Sequence, residues 1–331
     1  MVLYAVTLAV ITGVNLRGAE QWWPGALNLY LPQAFWAVPA LPLLAASRAA
    51  GWRWALLPAL CLVWVCGPIM GLRWSAQTPP GPGQSFRILT CNAKYGLRDT
   101  RELLDDIDRY QPQVVLLQDA DGFMRGPLGA FFKGWQVRAS SQFVIASRLP
   151  LSAAEFRWVA TPAGRQAYYR CQVKLGGTAV TLYAVHFQSP RDSLNAFRTE
   201  RNGRFQLLDG SAELEQNAAL RLEQARGLRG LVQAESDPVI IAGDLNSADP
   251  SRVCATLREA GLRDAFDAGG RGYGYTYGHF LLHHRLPWLR LSWMRIDHIM
   301  LSPRLRAWRC WVGTSKASDH RPVIADFSLL P

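Results

Sequence analysis

The sequence predicts an α+β fold in which two packed β-sheets form a sandwich flanked by helices, preceded by about three transmembrane helices. Two observations lead to this prediction. Only five charged side chains occur in the first 73 of 331 residues, and the remainder contains many short apolar runs with few helical segments between them. Many strands with few intervening helices favour two packed sheets over one doubly wound sheet. We therefore expect a membrane domain at residues 1–73, a linker at 74–85 and a larger folded domain at 86–331.

Three nearly charge-free runs make up the predicted membrane domain, at residues 2–16, 25–46 and 54–72. Each is close to the ~20 residues that cross a bilayer core. Tryptophans, whose rings favour the headgroup level, lie near the ends of these runs at Trp22, Trp23, Trp52, Trp54 and Trp74. Three prolines, Pro32, Pro39 and Pro42, interrupt the second run and predict a kink or a re-entrant segment. A cleaved signal peptide is the disfavoured alternative for the first run, which lacks a basic start and a small-residue cleavage site.

The positive charges that flank these runs nearly balance, so they give a weak prediction of topology. Arg48 and Arg53 lie between the second and third runs, whereas Arg17 and Arg73 lie on the opposite side. An odd number of spans places the C-terminal domain across the membrane from the N-terminus. If the loop with two arginines is cytoplasmic, we expect a multi-pass cell-membrane protein with an extracytoplasmic C-terminal domain.

The linker at 74–85 is rich in proline and glycine, as is typical of exposed connections. Beyond it, apolar runs predict strands at residues 86–91, 112–117, 142–147, 168–175, 179–186, 239–242, 296–301 and 323–327. Helical spacing predicts helices at residues 100–110 and 218–233. Polar clusters follow several of these strands, where ligand sites often gather.

Charge and cysteine content narrow the function classes. Residues after position 73 contain 32 basic and 24 acidic side chains, an excess that would attract nucleic acid, anionic lipid or other phosphates, or would serve only as a solubilising surface. The six cysteines lack the spacing of metal ligands, so a structural zinc site is excluded and buried free thiols are expected.

Four aspartates, Asp119, Asp244, Asp297 and Asp319, each adjoin an apolar strand. An unpaired buried carboxylate costs several kcal/mol, so these groups require a cation or hydrogen-bond donors nearby. Carboxylate and amide oxygens suit the hard ions Mg²⁺ and Mn²⁺. A hard divalent ion that is open to substrate phosphate favours cleavage of phosphate esters.

Six motifs occur in an order that resembles the endonuclease/exonuclease/phosphatase superfamily, which includes DNase I-like nucleases, abasic-site endonucleases, sphingomyelinases and inositol polyphosphate phosphatases. They are Thr90-Cys91-Asn92, Gln118-Asp119, His186, Gly243-Asp244-Leu245-Asn246, Arg295-Ile296-Asp297-His298-Ile299 and Ser318-Asp319-His320-Arg321-Pro322. The resemblance covers about residues 86–329. It implies a DNase I-like sandwich and a metal-dependent phosphoesterase in which Mg²⁺, or Mn²⁺, is the cofactor.

The resemblance also implies roles for individual residues. Asn92 and Asp119 would hold the metal, and Asp319 would complete or support that site. Asp244 and Asn246 look like the pair that orients the attacking water and a phosphate oxygen.

Two histidines would contact the scissile phosphate. By resemblance, these are His320, which Asp297 would orient, and His186. A carboxylate raises the pKa of a histidine and fixes its tautomer, so His320 would act as a charged donor or as a proton shuttle. His298 is expected to be structural, because alternation along the strand turns it away from Asp297.

One departure from the family pattern concerns the metal. Family members usually carry Glu after the Gln, whereas this chain carries Asp119, which is shorter by one methylene. The shorter side chain puts the metal distance, the metal preference or the level of activity in question.

The substrate is predicted from the surroundings of the motifs. The segment around His186 resembles the DNase, sphingomyelinase and inositol phosphatase branches more than the abasic-site branch. Three spans before the domain resemble bacterial membrane-bound members associated with glycopeptide resistance. Residues 279–293 mix aromatic, aliphatic and basic side chains, which would contact anionic headgroups or pack as a buried loop.

We therefore predict a membrane-anchored phosphoesterase that hydrolyses a lipid-linked phosphate, diphosphate or phosphodiester. The linker would keep the active site near the bilayer, where such substrates are concentrated. A membrane-tethered nuclease that cleaves DNA or RNA is the first alternative. A catalytically weak, phosphate-binding membrane scaffold is the second.

Overall fold

A computed structural model describes residues 1–79, 85–96, 100–120, 124, 126–196, 200–201, 204–205, 207–279, 286, 288, 291–314 and 317–330. The α-helices are α1 (Val2–Leu16), α2 (Trp23–Tyr30), α3 (Ala40–Ala50), α4 (Leu56–Trp64), α5 (Thr100–Tyr110), α6 (Pro127–Phe131), α7 (Arg191–Ala196), α8 (Leu207–Gln233), α9 (Arg252–Arg258) and α10 (Ala265–Gly269). Short 3₁₀ segments lie at Ala19–Gln21, Gln33–Ala37, Trp52–Ala55 and Lys94–Gly96, and a π-helical turn at Val65–Ile69. Part of the predicted linker and most of residues 280–290 lie outside the described residues.

The strands are β1 (Arg73–Trp74), β2 (Ser85–Asn92), β3 (Val114–Gln118), β4 (Gln136–Ser140), β5 (Phe143–Ser147), β6 (Glu155–Thr161), β7 (Gly164–Leu175), β8 (Thr178–His186), β9 (Glu200–Arg201), β10 (Arg204–Phe205), β11 (Val239–Asp244), β12 (Arg263–Asp264), β13 (Arg271–Gly272), β14 (Asp297–Leu301), β15 (Leu305–Val312) and β16 (Val323–Leu329). Every strand predicted from the sequence is present, with ends shifted by up to four residues.

The chain forms two compact units. The first contains Met1–Arg73, Pro190–Ala219 and Ala248–Arg252. The second contains Trp74–Ser189, Leu220–Ser247 and Val253–Pro331. Two segments that the sequence interpretation placed in the larger domain therefore group with the N-terminal residues.

The first unit does not support the predicted three transmembrane helices. Among the described residues, one continuous helix, Trp52–Ile69, is long and apolar enough to cross a bilayer. Trp23–Tyr30 and Gln33–Ala50 qualify only as a pair, and a bend of 96° separates them. Proline causes this difference, because Pro32 lies at the break and cannot continue a helix. The remaining apolar helix, Val2–Leu16, is shorter than the ~20 residues that a span requires.

The helices of the first unit leave much apolar surface exposed. Most of the large exposed apolar side chains among the described residues lie within the first 74 residues, and Leu3 and Val63 are 79% and 68% exposed. Only 22% of the Trp52–Ile69 helix is buried, whereas the core helix of a soluble protein is mostly buried. A surface of this kind is typical of a region covered by a lipid or protein partner.

Two six-stranded mixed sheets form the second unit and confirm the predicted α+β sandwich. The first has the strand order β15-β16-β2-β3-β5-β4, and the second has the order β12-β14-β11-β8-β7-β6. Within the first sheet, β2 and β3 are parallel. Within the second, β8 and β11 are parallel.

Apolar side chains fill the space between the sheets and cover their outer faces. The inner core contains fully buried side chains from both sheets, such as Ile88, Leu116 and Leu182. On one outer face, α5 and α6 pack against β2, β3 and β5. On the other, α8 and α9 pack against β7, β8 and β11. The four layers hold the central strands rigidly, and these strands carry the polar motifs at their ends.

Candidate active site

The strand register brings the polar motifs to one end of the sandwich. In the first sheet, Asn92 at the end of β2 lies opposite Gln118 at the end of β3. In the second sheet, Asp244 at the end of β11 lies between His186 of β8 and Asp297 of β14. Short polar side chains at the ends of adjacent strands thus face one another across the two sheets.

A tight turn after β11 positions Asp244 and Asn246. The Asn246 amide donates to Asp244 Oδ1 at 2.8 Å, and Asn246 Nδ2 donates to the Phe187 carbonyl at 2.9 Å and to Asp244 Oδ2 at 3.2 Å. Asn246 has a φ of +47°, a conformation that asparagine tolerates better than most residues. Gly243 precedes the turn with a φ of +149°, and a Cβ there would lie 2.0 Å from the Val185 carbonyl oxygen. Glycine is required at that position for steric reasons.

His320 and Asp297 form a buried pair. His320 Nδ1 lies 3.0 and 3.1 Å from the two carboxylate oxygens of Asp297, and its Nε2 lies 3.7 Å from Asp244 Oδ2. The Tyr277 ring packs against the imidazole with a centroid distance of 4.9 Å. Thr276 Oγ1 accepts from the Asp297 amide at 3.3 Å. Asp297 and Tyr277 thus restrain the orientation of the imidazole.

Burial and mutual charge interactions shift the pKa values of His320, Asp297 and Asp244. Burial alone would lower the pKa of His320, but Asp297 and Asp244 raise it to about 9. Burial opposes ionisation of Asp297, yet the neighbouring His320 and the hydrogen bond from Thr276 lower the pKa of that carboxyl. Burial and the nearby Asp297 raise the pKa of Asp244, against the effect of His320. At neutral pH His320 is therefore a cation between two carboxyl groups, and Asp244 is the more basic carboxylate of the two.

The raised pKa of His320 predicts a pH-dependent stability. The folded state binds this proton more tightly than the unfolded chain, so its contribution is fully present below about pH 6.5 and is lost as the pH rises to about 9. A shift of this size corresponds to about 3 kcal/mol. Urea unfolding in EDTA should show that the stability advantage of the wild type over His320→Gln shrinks across this range. A constant difference between pH 6 and 9.5 would contradict the prediction.

Asp119 contacts Lys94 and His186. Its Oδ2 lies 3.4 Å from Lys94 Nζ, and its Oδ1 lies 3.3 Å from His186 Nδ1. Burial would raise the pKa of Asp119, but the hydrogen bond and charge of His186, together with Lys94, lower it well below its usual range. Asp119 has a φ of +46° and Lys94 a φ of +47°, so both lie on left-handed turns.

Further contacts connect His186 and Asn92 to Asp244 and to their neighbours. His186 Nδ1 also contacts Gln142 Oε1 at 2.5 Å, and its Nε2 lies 3.6 Å from Asp244 Oδ2. Asn92 Nδ2 donates to Asp244 Oδ2 at 3.1 Å, and its Oδ1 accepts from the Lys94 amide at 3.1 Å. Asn92, His186 and Asp244 are thereby linked in one buried network.

The oxygen ligands at the first sheet fit a hard divalent ion. Asn92 and Asp119 both offer oxygen ligands, and Gln118 Oε1 is a buried acceptor without a hydrogen-bond partner among the described residues. Oxygen ligands of this kind suit Mg²⁺ or Mn²⁺.

A second group, Asp244, Asp297 and His320, also has ligand atoms within 4.8 Å of one another. Its geometry suits an ion pair better than a metal. A metal would require a neutral nitrogen of His320, whereas Nδ1 faces Asp297 and Nε2 faces Asp244. The imidazolium already supplies the positive charge between these carboxylates.

Asp319 is less closely connected to the predicted metal ligands. Its Oδ1 lies 4.0 Å from His320 Nε2 and 3.3 Å from Ser318 Oγ, which donates to it. No carboxylate contact joins it to Asn92 or Asp119 within the part of the chain that the structure describes. It lies beside His320, at the edge of the site.

Sequence reasoning missed several residues of this site. Four residues contact the predicted ones but lie outside the motifs: Lys94, Gln142, Thr276 and Tyr277. Of these, Lys94 is near a motif, because it follows Asn92 by two positions. Their roles depend on long-range contacts, which spacing along the chain does not disclose.

His298 points away from the site, as expected. Its Nδ1 lies 2.7 Å from Asp264, and its Nε2 lies 3.1 Å from the Ser247 carbonyl oxygen. Arg295 Nη1 donates to the same Asp264 carboxylate at 2.8 Å. Through the Ser247 carbonyl oxygen, the cluster of His298, Asp264 and Arg295 contacts the chain directly after Asn246.

Comparison with known proteins relates this arrangement to a family and a fold. The sequence profile described as "Endonuclease/Exonuclease/phosphatase family" matches residues 89–320. No curated protein sequence matches the chain significantly.

Three solved structures have similar folds. An endonuclease/exonuclease/phosphatase family protein from Bacteroides thetaiotaomicron is 13% identical, with 76% of this chain and 99% of that chain covered at a TM-score of 0.54. D. rerio TDP2 complexed with single strand DNA product is 19% identical, with 74% and 99% covered at a TM-score of 0.51. The 3'-5' exonuclease (NExo) from Neisseria meningitidis is 20% identical, with 73% and 100% covered at a TM-score of 0.51. At these identities the similarity concerns the fold.

Proposed function

Because the chain belongs to the endonuclease/exonuclease/phosphatase family, we propose that it is a divalent-metal-dependent phosphoesterase that is held at a membrane and acts on a lipid-linked phosphate. The family is hydrolytic and acts on phosphoester bonds. Membership confirms the family predicted from the six motifs. The membrane-anchored branch of that family stays a prediction.

The observation that carries the proposal is the buried arrangement of His320 between Asp297 and Asp244. In the proposed mechanism, the imidazolium donates from Nε2 to a non-bridging oxygen of the scissile phosphate or to the leaving group. Asp297 holds Nδ1–H and keeps that nitrogen protonated. His186, whose Nε2 also faces Asp244, would make a second contact to the phosphate.

Asp244 and Asn246 would prepare the attacking water. The raised pKa of Asp244 makes it a better proton acceptor than an exposed carboxylate. Asn246 fixes the carboxylate through its amide and its side chain, so the accepting oxygen has a defined position. Water activation and charge stabilisation would thus come from different side chains.

The proposed metal ligands are Asn92 and Asp119, with Asp319 in a supporting position. When bound, Mg²⁺ or Mn²⁺ would act as a Lewis acid toward the phosphate oxygens. To bind the ion, Asp119 would have to exchange its contact with Lys94 or with His186. Lys94 would then be free to contact a phosphate oxygen.

The apolar surface of the first unit supports the membrane part of the proposal. The Trp52–Ile69 helix is long enough to cross a bilayer, and it is mostly exposed. The substrates that a membrane concentrates are lipid-linked phosphates, diphosphates and phosphodiesters. An extracytoplasmic location of the second unit follows only if the loop with Arg48 and Arg53 is cytoplasmic.

A nuclease is the second candidate. The chain has a formal net charge of +11, which attracts polyanions, and one protein of similar fold was crystallised with single strand DNA product. DNA or RNA phosphodiesters present the same chemistry to His320 and Asp244 as lipid phosphodiesters do.

One assay separates the candidates. The full chain in detergent with Mg²⁺ is offered polyprenyl diphosphate, phospholipids, plasmid DNA and RNA, and we expect phosphate release from the lipid substrates. EDTA should abolish turnover, and Mg²⁺ or Mn²⁺ should restore it, because Asn92 and Asp119 offer oxygen ligands.

The control is Asp105→Asn, which removes an exposed carboxylate from α5 and should retain wild-type activity. Rapid cutting of DNA without lipid turnover would contradict the lipid proposal and support the nuclease. Turnover that EDTA leaves unchanged would contradict the metal assignment. If no substrate is cleaved, a phosphate-binding scaffold with a weakened Asp119 becomes the better description.

A further inference from the structure

An arginine without an acidic partner follows the candidate catalytic histidine. The buried Nε of Arg321 has no hydrogen-bond partner among the described residues. No carboxylate of the described chain lies within ion-pair distance of its guanidinium, whereas Arg295 pairs with both Asp264 and Asp267. A partly buried cation of this kind is stabilised by any anion that reaches it.

Arg321 lines a cavity of about 390 Å³ in the second unit. The described residues around it include a second arginine, three aromatic rings and an aliphatic side chain: Arg271, Tyr275, Trp311, Phe266 and Leu291. None of the described residues that line it is acidic. These residues therefore offer positive charge together with an apolar wall.

Two chain segments connect this cavity to the candidate active site. Arg321 is joined to His320 by one peptide bond, and its amide donates to the Thr276 carbonyl oxygen at 2.9 Å. On the facing segment, Tyr275 lines the cavity, Thr276 contacts the Asp297 amide and Tyr277 packs on His320. Because consecutive Cα atoms are about 3.8 Å apart, the cavity wall begins within roughly 7 Å of the backbone at the catalytic pair.

From this arrangement we infer that the cavity binds a second phosphate group of the substrate, next to the one that is hydrolysed. Arg321 and Arg271 are specificity-determining residues in this assignment, and the aromatic wall contacts the part of the substrate that adjoins the second phosphate. The inference rests on the proposed phosphoesterase function and narrows its substrate class to molecules with at least two phosphates. Diphosphates of lipids and consecutive phosphodiesters of nucleic acids both meet that description.

Arginine suits this task for geometric reasons. A guanidinium presents several N–H groups in one plane and binds phosphate oxygens in pairs, whereas an ammonium acts as a point charge. The guanidinium of Arg271 already donates through Nε to the Ser75 carbonyl oxygen and lies 5.4 Å over the Trp74 ring, so it is held at the cavity wall. The Arg271 guanidinium is therefore held in place before the substrate arrives.

The first test measures binding without turnover. Inorganic pyrophosphate is titrated into the full chain in detergent and EDTA, and Arg321→Met and Arg271→Met are each expected to weaken its affinity about 10-fold or more. Arg304→Met, which removes an exposed arginine outside the cavity, is the charge-matched control and should bind like the wild type. Unchanged affinity in both cavity variants would overturn the inference, whether or not the protein hydrolyses any ester.

The second test measures specificity. Arg321→Met should raise KM for a substrate with two phosphates about 10-fold, while kcat/KM for bis(4-nitrophenyl) phosphate, which has one phosphate, stays within about 3-fold. Arg321→Lys should fall between the wild type and Arg321→Met, because it keeps the charge and loses the planar fork. An equal loss on both kinds of substrate would overturn the assignment. If Arg321→Met does not fold, Arg271→Met carries the same comparison.

The substrate on which Arg321→Met loses activity selectively identifies the source of the second phosphate. A selective loss on polyprenyl diphosphate supports a lipid diphosphate, and a selective loss on an oligonucleotide supports a nucleic acid. The absence of a selective loss on either substrate overturns the second-phosphate site.

Discussion

Replacement of His320 by Gln is expected to lower kcat by about 10³-fold, with little change in KM. His320 is the only charged donor that Asp297 and Tyr277 hold rigidly among the described residues of the site, and proton transfer by a positioned side chain contributes about 10²- to 10⁴-fold to a rate. Gln keeps a similar length and an NH₂ group that donates hydrogen bonds, but it neither carries charge nor exchanges a proton. Steady-state kinetics on the substrate identified in the assay above measure the effect.

Asp297→Asn is the matched variant for this prediction. Asn has nearly the same volume as Asp but cannot stabilise the imidazolium, so the pKa of His320 should fall from about 9 and kcat should drop by a similar factor. The pKa is measured by NMR titration of the His320 ring in metal-free protein. If His320→Gln retains more than a tenth of wild-type kcat, His320 is not the proton donor.

The sandwich could be predicted from sequence because its central strands are buried on both faces. β3 and β11 are continuous apolar runs that end in a polar residue, and β14 begins with Asp297 and His298 and continues as an apolar run, which distinguishes all three from amphipathic helices. The strand β6 at a sheet edge and β15, by contrast, alternate exposed and partly buried residues with arginine and tryptophan. The hydrophobic pattern of β6 and β15 is weak because each packs on one face, which leaves the residues of the other face free to vary. The sequence analysis did not predict these two strands.

The number of transmembrane helices was the largest error of the sequence analysis. A charge-free run satisfies the composition of a span whether or not its backbone is straight, and for residues 25–46 the prolines correctly predicted a kink or a re-entrant segment. Pro32 removes an amide donor at the point where the chain bends by 96° between Trp23–Tyr30 and Gln33–Ala50. Hydropathy measures the solvent that side chains prefer, but it does not measure the direction of the helix axis.

The site could be predicted in composition and order, but its internal electrostatics depend on distances between segments. The resemblance to the family implied that Asp297 orients His320. It did not indicate that Lys94 and His186 lie on either side of Asp119, because these contacts depend on left-handed turns at Lys94 and Asp119. The carboxylate of Asp119 thus has Lys94 and His186 as neighbours. The replacement of the family's usual Glu by Asp, seen in the sequence alone, does not reveal these contacts.

Replacement of Asp244 by Asn is expected to lower kcat by about 10³- to 10⁴-fold, the largest effect among the predictions. Asp244 is the carboxylate whose pKa burial raises, so it is the group best suited to accept a proton from water at neutral pH. It also accepts hydrogen bonds from Asn92, from the Asn246 amide and from the Asn246 side chain. An amide at this position keeps the volume, loses the basicity and presents an NH₂ group to some of these donors.

Two readouts separate the loss of a base from a loss of structure. If Asp244 acts on the water, Asp244→Asn should retain the pyrophosphate affinity of the wild type, because Arg321 and Arg271 are unchanged. The pKa of His320 should also fall, since one of the two carboxylates that raise it has been removed. Asp105→Asn should change neither quantity. A variant that retains kcat, or that loses kcat only in proportion to the fraction of unfolded protein, would show that Asp244 supports the turn after β11 and takes no part in the chemistry.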